Sequence, residues 1–456
     1  MQVIEPKDNG DYAYIVNKGL NKSIVEEISS IKGEPQWVRD IRLKALDIYN
    51  DLSLPIWGPS LDELNIDEIA TYVKPKGEMQ DNWQAVPDEI KQTFEKLGIP
   101  KAERDYLSGV GAQYDSEVVY HSIKEELKSQ GVIYTDFDSA IREYPQLVKE
   151  YFTKCVPLSE HKFIALHYAV FSGGSFVYVP KGVHVDMPLQ SYFRLNTRES
   201  GQFEHTLIIV DEGASLHFIE GCSAPKYNKF NLHAGCVELY VKKGGFLRYS
   251  TIENWSKNMF NLNTKKAIVS EDATMEWVSG SFGSHISMLY PMSILQGDRA
   301  RTEYTGISFA GEGQNLDTGF KVLHIGRDTS SVVQSRSISK GGGITTYRGY
   351  VKMLPSAINS HCAVDCDNLM LDNISRSDTI PTSDIQTNLS EFSHEAKVGR
   401  ISDKAIFYLM SRGLSESDAT AMIVRGFANP ISKELPLEYA VEMNRLINLE
   451  LKGEIK

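Results

Sequence analysis

Two cysteines, Cys362 and Cys366, stand four residues apart in the stretch SHCAVDCDNLML. In a helix, such a pair lies on one face within about 6 Å, close enough to share a metal ion. In a strand, the pair also shares a face but lies about 13 Å apart, too far for one ion. The alternation of this stretch and its Asn and Asp residues predict a strand. We therefore interpret the thiols as independent, each a small buried side chain or a separate functional group.

A third cysteine, Cys222, follows an apolar strand-like segment in IEGCSAP and precedes Pro225. This position predicts a thiol at a turn, more accessible than one inside a strand. Arg194 and Asn196 lie two residues apart in SYFRLN, on one face of a predicted strand. An arginine close to Cys222 would lower the pKa of the thiol from about 8.5 and favour the thiolate. An ordinary structural ion pair is the alternative for Arg194.

Further polar residues occur within strand-like segments. Glu253 and Trp255 share a face in TIENW, and Lys265 follows in NTKKA. A row of such residues pointing inward would form a hydrated path, whereas an inert β core is apolar. His394 and Glu395 are neighbours in FSHEAKVG, so only one of them faces a given site if the segment is a strand. A surface pair is the alternative for these two residues.

Composition excludes several classes of function. The 456 residues carry a net charge of −12 and a pI near 5.5, which argues against general nucleic-acid binding and against attraction to an anionic membrane. No apolar run reaches the roughly 18 residues of a membrane-spanning helix, and the first residues lack the features of a signal peptide. We expect a cytoplasmic protein. Five cysteines in this length do not form a disulfide scaffold. Walker A and GxSxG motifs are absent from the sequence.

The elements that must position these residues differ along the chain. Helical patterns dominate up to about residue 155, as in EPQWVRDIRLKALDIYNDL, which has an amphipathic apolar stripe. The stretch DSEVVYHSIKEELKSQG also predicts a helix, with Asp115 or Ser116 as its N-cap and Gly131 at its end. A further helical stretch, DSAIREYPQLVKEYF, is broken at Pro145.

From about Lys162, short alternating segments follow one another for over 200 residues, punctuated by Gly, Asp and Asn. So many strands without helices between them exclude a doubly wound α/β fold and leave a sandwich, a barrel or a β-helix. Helices return after Arg400, with Ser402 and Ser415 as N-caps and Gly413 as a C-cap. These helices are too few to bury one another, so their apolar faces must dock on the β unit or on a partner.

Several long stretches of the chain together resemble one known family. They are LSGVGAQYDSEVVYHSIKEELKSQGVIYTD, GGSFVYVPKGVHVDMPLQSYFRLN, GQFEHTLIIVDEGASLHFIEGCSAPKYN, SRSDTIPTSDI, HEAKVGRISD and FYLMSRGLSESDATAMIVRGF. They resemble the SufB/SufD family of the SUF iron–sulfur cluster assembly system, and its SufB branch more than SufD. The resemblance implies a mostly β fold: a right-handed parallel β-helix core (residues 156–395) between helical N-terminal (1–155) and C-terminal (396–456) regions.

The resemblance also implies roles for individual residues. Cys222 is similar to the family's acceptor of persulfide sulfur. Cys366 is similar to the thiol at the subunit interface where the nascent cluster forms, with Glu395 as a carboxylate partner and His394 nearby. The positions that match the family's internal path for sulfur are Arg194, Asn196, Glu253, Trp255 and Lys265.

The chain departs from the family pattern at a few positions. Glu253 stands where Gln is common, which keeps the polarity of the path. Ser393 stands where Glu is frequent and removes one possible ligand. Cys236 stands where Ala is usual. Cys155, Cys236 and Cys362 fall outside the family motifs and receive no predicted role.

The function implied by the resemblance is that of an assembly scaffold, not an enzyme. It would accept persulfide sulfur and iron, hold a transient iron–sulfur cluster and pass it to acceptor proteins. Its expected partners are the ATPase SufC on the C-terminal helices, a second SufB or a SufD subunit, and a cysteine desulfurase or its sulfur-transfer partner. Reduced flavin as the electron source is left open.

Two other functions compete with this interpretation. Many β-helix proteins are polysaccharide lyases or hydrolases, and the carboxylates Asp365 and Asp367 favour that class. A transporter subunit working with an ATPase is the other, and the lack of a spanning segment argues against it.

Overall fold

The computed structural model describes residues 12–77, 79–88, 90–92, 107–225, 227, 229–433 and 437–452, with the side chains of 437–439 and 442 excepted. Parts of the predicted N-terminal helical region, residues 1–11 and 93–106, lie outside the described residues. Two single-turn 3-10 helices cover Ile66–Glu68 and Trp83–Ala85. The α-helices are α1 Lys22–Ile31, α2 Gln36–Asp51, α3 Glu125–Ser129, α4 Phe137–Glu143, α5 Pro145–Tyr151, α6 Lys162–Val170, α7 Asp403–Met410, α8 Glu416–Ser432 and α9 Leu437–Lys452.

Strands make up most of the remaining structure. In chain order they are β1 Tyr12–Ile15, β2 Val73–Pro75, β3 Gly109–Tyr114, β4 Glu117–Ile123, β5 Ile133–Asp136, β6 Ser175–Val179, β7 Leu189–Arg194, β8 Gly201–Gln202, β9 His205–Val210, β10 Ser215–Ser223, β11 Asn231–His233, β12 Cys236–Val241, β13 Phe246–Asn254, β14 Met259–Asn261, β15 Thr264–Val269, β16 Thr274–Phe282, β17 Ile286–Leu289, β18 Met292–Leu295, β19 Arg301–Ala310, β20 Asn315–Thr318, β21 Lys321–His324, β22 Ser330–Ser339, β23 Ile344–Met353, β24 His361–Met370, β25 Arg376–Ile385 and β26 Glu391–Arg400.

Parallel strands stack into two long sheets that face each other. Sheet I has the order β4-β3-β7-β10-β13-β16-β19-β22-β24-β26. Sheet II has the order β5-β6-β9-β12-β15-β18-β21-β23-β20-β17-β14-β11-β8, and β25 pairs with β23. Each turn of the chain contributes a strand to sheet I and one or two to sheet II, with a repeat of about 30 residues. The predicted fold class is confirmed: the chain is a parallel β-solenoid of about 8 turns with helices at both ends.

The space between the two sheets holds the main core. Phe218, Tyr249 and Trp277 lie one above another in register on sheet I and are buried. They belong to the same apolar cluster as Ile208 and Leu239 of sheet II. Because side chains alternate along a strand, this cluster identifies which residues of each strand of sheet I point inward.

Helices cover the outer faces of both sheets. The outward Ile307 of sheet I packs in one cluster with Val424 of α8 and Leu446 of α9, so two C-terminal helices dock on the β unit. The outer face of sheet II is covered by the N-terminal helices, through a cluster that includes Val38 of α2 and Phe171 after α6. Within the described part of the chain, none of the helices combines the length and apolar character that crossing a bilayer requires.

The helix predicted for residues 115–131 is wrong. The chain instead forms the hairpin β3–β4, with Asp115 at a φ of 51° in the turn, and only α3 is helical. β3 pairs in parallel with β7 and so extends sheet I. Val118 and Val119 favour a strand once a sheet edge is available to pair with, and this tertiary pairing overrides the helical pattern.

Other local predictions are confirmed. The break at Pro145 separates α4 from α5, where proline occupies the first helical position. Ser402 and Ser415 accept hydrogen bonds from the backbone N–H groups three residues later, as N-caps of α7 and α8. The division of the chain into domains at residues 155 and 395 stays a prediction.

A buried arginine ties the N-terminal helices to the solenoid. Arg42 of α2 is fully buried and forms two hydrogen bonds with Glu34, at 2.6 and 2.8 Å. It also donates to the carbonyl oxygens of Ala169 and Phe171, and its guanidinium lies 3.9 Å from the centre of the Phe171 ring. Every polar contact of this cation is therefore made inside the protein.

We expect Arg42→Ala to lower the free energy of unfolding by about 3–5 kcal/mol, because it leaves the carboxylate of Glu34 buried without a partner. Arg39→Ala, on the same helix, removes an exposed ion pair with Glu26 and should cost less than about 1 kcal/mol. Urea unfolding of both variants, followed by circular dichroism, measures the difference. Equal losses would contradict the anchoring role of Arg42.

Candidate functional site

Two columns of polar and small side chains run along the inner face of sheet I. Strict register stacks one residue of each turn on the next, so the columns span about 24 Å at roughly 4.8 Å per strand. The first polar column is Glu220, Thr251, Ser279, Gly306, Ser335 and Cys366. The second polar column is Cys222, Glu253, Ser281, Ser308, Ser337 and Asn368.

A lysine from the opposite sheet neutralises one end of the columns. Lys265 of β15 is buried, and its Nζ lies 2.7 Å from Glu220 and 3.8 Å from Glu253. It also donates to the hydroxyl of Thr251 at 2.9 Å. Burial by itself would lower the pKa of Lys265, but the two carboxylates outweigh it and raise that pKa above its ordinary value. Lys265 therefore stays a cation between two glutamates inside the solenoid.

Cys222 lies beside this charged group. The residue belongs to β10 and is 1% exposed, so the prediction of an accessible thiol at a turn is wrong. Its Sγ lies 3.8 Å from Oε1 of Glu220, and the residue packs in a small apolar cluster with Phe193 and Trp255. Burial raises the pKa of the Cys222 thiol well above its ordinary value, and Glu220 and Glu253 raise it further. The thiol is protonated in this conformation.

Arg194 and Asn196 lie outside the polar columns. Arg194 pairs in register with Ser223 and donates to its hydroxyl at 2.9 Å, on the face of β7 and β10 opposite to Cys222. The hypothesis that Arg194 lowers the pKa of Cys222 is therefore wrong for this conformation. Asn196 follows the end of β7, and its backbone N–H donates to the buried carboxylate of Asp115.

A second buried group borders the columns and was missed in the sequence. His233 contacts Oε1 of Glu204 at 2.5 Å and the side-chain oxygen of Asn261 at 2.7 Å. The amide of Asn261 donates to Glu253 at 2.6 Å, and the ring of Trp255 lies 4.6 Å from that of His233. Burial alone would lower the pKa of His233, but Glu204 outweighs it and raises that pKa. The sequence does carry a signal for this group: polar residues recur about every 30 positions within apolar strands, which places them next to one another in a solenoid.

The other end of the first polar column is Cys366. Residues His361–Met370 form the strand β24, so the strand predicted for the two cysteines is confirmed. Cys362 and Cys366 are both buried on the inner face, four residues apart. Burial raises the pKa of Cys366 to about 12, although the hydroxyl of Tyr347 donates a hydrogen bond to its sulfur.

The last strand separates the two predicted partners of Cys366. Cys366 pairs in register with Ala396, so His394 shares its inner face, whereas Glu395 pairs with Asp365 on the outer face. His394 is half-buried, and its Nε2 has no hydrogen-bond partner among the residues that the structure describes. Glu395 is exposed. A single chain therefore brings His394, and not Glu395, to the side of Cys366.

A small surface cleft lies beside the charged end of the columns. It has about 60 Å³ of room for water and is lined by Trp57, His161, Asn263 and Lys265 among others. A second space of about 10 Å³, enough for roughly one water molecule, also touches Asn263 and Lys265 and reaches Glu253. Lys265 thus stands between the surface cleft and the polar columns.

Comparisons with known proteins match this chain over almost its whole length. Residues 193–427 match the family model described as SUF system FeS cluster assembly, SufBD core domain, and residues 111–191 match the SufBD N-terminal region. The iron–sulfur cluster assembly protein SufB of Bacillus subtilis is 53% identical over 438 residues, covering 96% of this chain and 94% of the relative. A SufBD family protein of Staphylococcus haemolyticus is 51% identical, covering 98% of each chain.

We expect Glu220→Gln to speed the alkylation of Cys222 by iodoacetamide at pH 8. Removing the negative charge beside the sulfur stabilises the thiolate, and each unit by which the pKa falls gives about tenfold more thiolate. Peptide mass spectrometry measures the rate at Cys222 alone. The control is Glu276→Gln, which changes a carboxylate paired with Arg248 on the outer face. An unchanged or slower rate in Glu220→Gln would contradict the electrostatic control of Cys222.

Proposed function

The chain belongs to the SufBD family of the SUF iron–sulfur cluster assembly system, and from this premise we propose that it is an assembly scaffold. It takes persulfide sulfur at Cys222. Two electrons, for which reduced flavin is the proposed source, then break the S–S bond and release sulfide, which passes along the polar columns and combines with iron in a transient cluster at Cys366. The observation that carries this proposal is the pair of adjacent columns of mostly polar residues, one beginning at Cys222 and the other ending at Cys366, in a position where a β-solenoid is ordinarily apolar.

Sulfur transfer to Cys222 follows from the chemistry of its neighbours. The thiolate of Cys222 attacks the terminal sulfur of a donor persulfide; a new S–S bond forms and the donor thiolate leaves. Lys265, whose cation lies 2.7 Å from Glu220, favours the thiolate of Cys222, against the opposing effect of Glu220, which lies 3.8 Å from the sulfur. The surface cleft beside Lys265 supports an approach for the donor, a cysteine desulfurase or its sulfur-transfer partner.

The cluster is held at the open end of the solenoid. Cys366 and His394 offer a thiolate and an imidazole from one chain, and Glu395 is the predicted carboxylate ligand on the other face of the same strand. These are too few ligands for a stable cluster, which normally has four. The edge strands β25 and β26 are largely exposed, with Val398 50% accessible, which supports docking of a second copy or of a SufD subunit there.

The C-terminal helices support docking of the ATPase SufC. Although α8 and α9 pack on sheet I, α7 leaves Phe407 73% and Tyr408 56% exposed, and Met422 of α8 is also exposed. Such a group of large apolar side chains marks a protein interface. Because the sequence lacks a phosphate-binding loop, ATP hydrolysis is assigned to SufC and not to this chain. We also propose that reduced flavin supplies electrons for cluster assembly and that the protein is cytoplasmic.

The competing polysaccharide-cleaving function is less well supported. Asp365 and Asp367, the carboxylates that favoured it, both form ion pairs with Arg336, at 3.1 and 3.2 Å. A glycosidase needs its two carboxyl groups in different roles, one as acid and one as base or nucleophile. Here both carboxylates are engaged by the same guanidinium.

We expect Cys222→Ala to abolish most of the persulfide label that the chain acquires from a cysteine desulfurase supplied with radiolabelled cysteine, because Cys222 is the acceptor sulfur. Cys155→Ala removes another buried thiol, outside the polar columns, and should keep the full label. Label released by dithiothreitol is counted after gel filtration. Equal labelling of the Cys222→Ala variant would contradict the acceptor role.

We expect Cys366→Ser to lower the charge-transfer absorbance of the reconstituted cluster by about tenfold, because a ligand thiolate is lost. Cys362→Ser is the matched control, since Cys362 is buried on the same face of the same strand. Both variants and the wild type are reconstituted anaerobically with iron, cysteine and a desulfurase. Equal loss in both variants would contradict the ligand assignment, and no absorbance in the wild type would contradict the scaffold itself.

A further inference from the structure

Three metal-ligating side chains meet outside the polar columns, where α6 packs on the outer face of sheet II. They are His167 of α6, His205 at the start of β9 and Cys236 at the start of β12, and all three are fully buried. His205 and Cys236 are in-register neighbours on adjacent strands. One donor atom from each residue lies within 4.8 Å of the other two.

The hydrogen bonds of the two histidines leave their free nitrogens facing each other. Nδ1 of His167 lies 2.9 Å from the carbonyl oxygen of Ala234, which can only accept, so the proton of His167 is on Nδ1. Nε2 of His205 lies 3.3 Å from the carboxylate of Glu238. The remaining atoms, Nε2 of His167 and Nδ1 of His205, are 3.0 Å apart.

Glu238 is held firmly in its position behind His205. Its two oxygens accept hydrogen bonds from the backbone N–H groups of Thr153, Cys155 and Val156, at 2.8 to 2.9 Å. With a proton on Nε2, on the side of Glu238, His205 would have its lone pair on Nδ1, opposite the lone pair of His167. A metal ion held by these two nitrogens and the sulfur of Cys236 would accept both lone pairs.

We propose that His167, His205 and Cys236 form a buried binding site for one divalent transition-metal ion, Zn²⁺ by preference. In metal sites, a ligating histidine donates its other N–H to a carbonyl or a carboxylate. His167 does so to Ala234, and Glu238 lies 3.3 Å from the corresponding Nε2 of His205. Imidazole and thiolate together are donors that suit Zn²⁺. Fe²⁺ accepts the same donors, so the two ions are separate arms of the test.

The site is chemically distinct from the proposed assembly path. The ligands lie on the outer face of sheet II, in the cluster that joins the N-terminal helices to the solenoid, whereas the polar columns lie on the inner face of sheet I. When the ion binds, the thiol of Cys236 loses its proton to solvent and both imidazoles stay neutral. The ion joins α6 to β9 and β12, so its role is to fasten the helical layer to the sheet.

The alternative is a histidine pair without metal, in which Nδ1 of His205 carries a proton and donates it to Nε2 of His167. Nε2 of His205 then faces Glu238 without a hydrogen bond. This arrangement also accounts for the 3.0 Å contact, but it gives Cys236 no part. The two arrangements differ in whether a sulfur ligates a metal ion, and a cobalt spectrum reports that directly.

The test uses the full-length chain produced in media supplemented with Zn²⁺, Fe²⁺ or Co²⁺, because a fully buried site is loaded as the chain folds. After gel filtration in a chelator, we expect about one ion per chain to be retained. The Co²⁺ form should show thiolate-to-cobalt charge-transfer absorbance and the intense visible bands of a tetrahedral site. Retention of Fe²⁺ in place of Zn²⁺ would support the site and overturn the preference.

Variants separate this site from the assembly path. Cys236→Ala and His205→Gln should lower the retained ion at least about tenfold, and Cys236→Ala should remove the charge-transfer band. The controls Cys362→Ser and Cys222→Ser change buried thiols far from this site and should keep both the ion and the band. Failure of the proposed sulfur path therefore leaves this result unaffected. Wild-type protein without retained ion, or a band unchanged in Cys236→Ala, would overturn the proposal. The wild-type spectrum decides even if a variant does not fold.

Discussion

The strict register between parallel strands is the constraint on which the rest of this structure depends. Each inward residue of sheet I has a neighbour from the turn before and one from the turn after, at about 4.8 Å. Residues at equivalent positions of successive strands therefore form a column. Like charges at adjacent positions of one column would be destabilising. The two carboxylates obey this rule: Glu220 and Glu253 stand in different columns, each followed by neutral side chains, and Lys265 reaches both from the opposite sheet.

Burial of the charged groups Glu220, Glu253 and Lys265 destabilises the folded state. Removing a charge from water costs several kcal/mol even after relaxation, and well-packed apolar residues in place of an ion pair are often as stable or more so. The aromatic column of Phe218, Tyr249 and Trp277 beside this charged cluster shows that the same sheet can fill its interior without charged groups. Stability alone therefore does not account for Glu220, Glu253 and Lys265, and the proposed transfer of sulfur does.

The helical layers divide the surface of the solenoid into closed and open parts. N-terminal helices close the outer face of sheet II, and α8 and α9 close much of sheet I. The last turn keeps exposed edges, and α7 keeps exposed aromatic residues. The proposed partners thus meet the chain at its C-terminal end. Cys222, by contrast, is enclosed, so the proposed sulfur donor reaches it through the cleft beside Lys265 or after a local opening of the strands.

The sequence by itself determined the β-rich middle of the chain, the caps Ser402 and Ser415, the strand that separates Cys362 from Cys366, and, through the family resemblance, the solenoid. These depend on local patterns or on long matched motifs. Only the tertiary structure decided that residues 109–123 form a hairpin, because the pairing of β3 with β7 is a contact between distant segments. It also decided that Cys222 is buried, that Arg194 faces away from it, and that Glu395 and Cys366 lie on opposite faces. The register between turns sets these relations, and one residue of register reverses the face of every side chain.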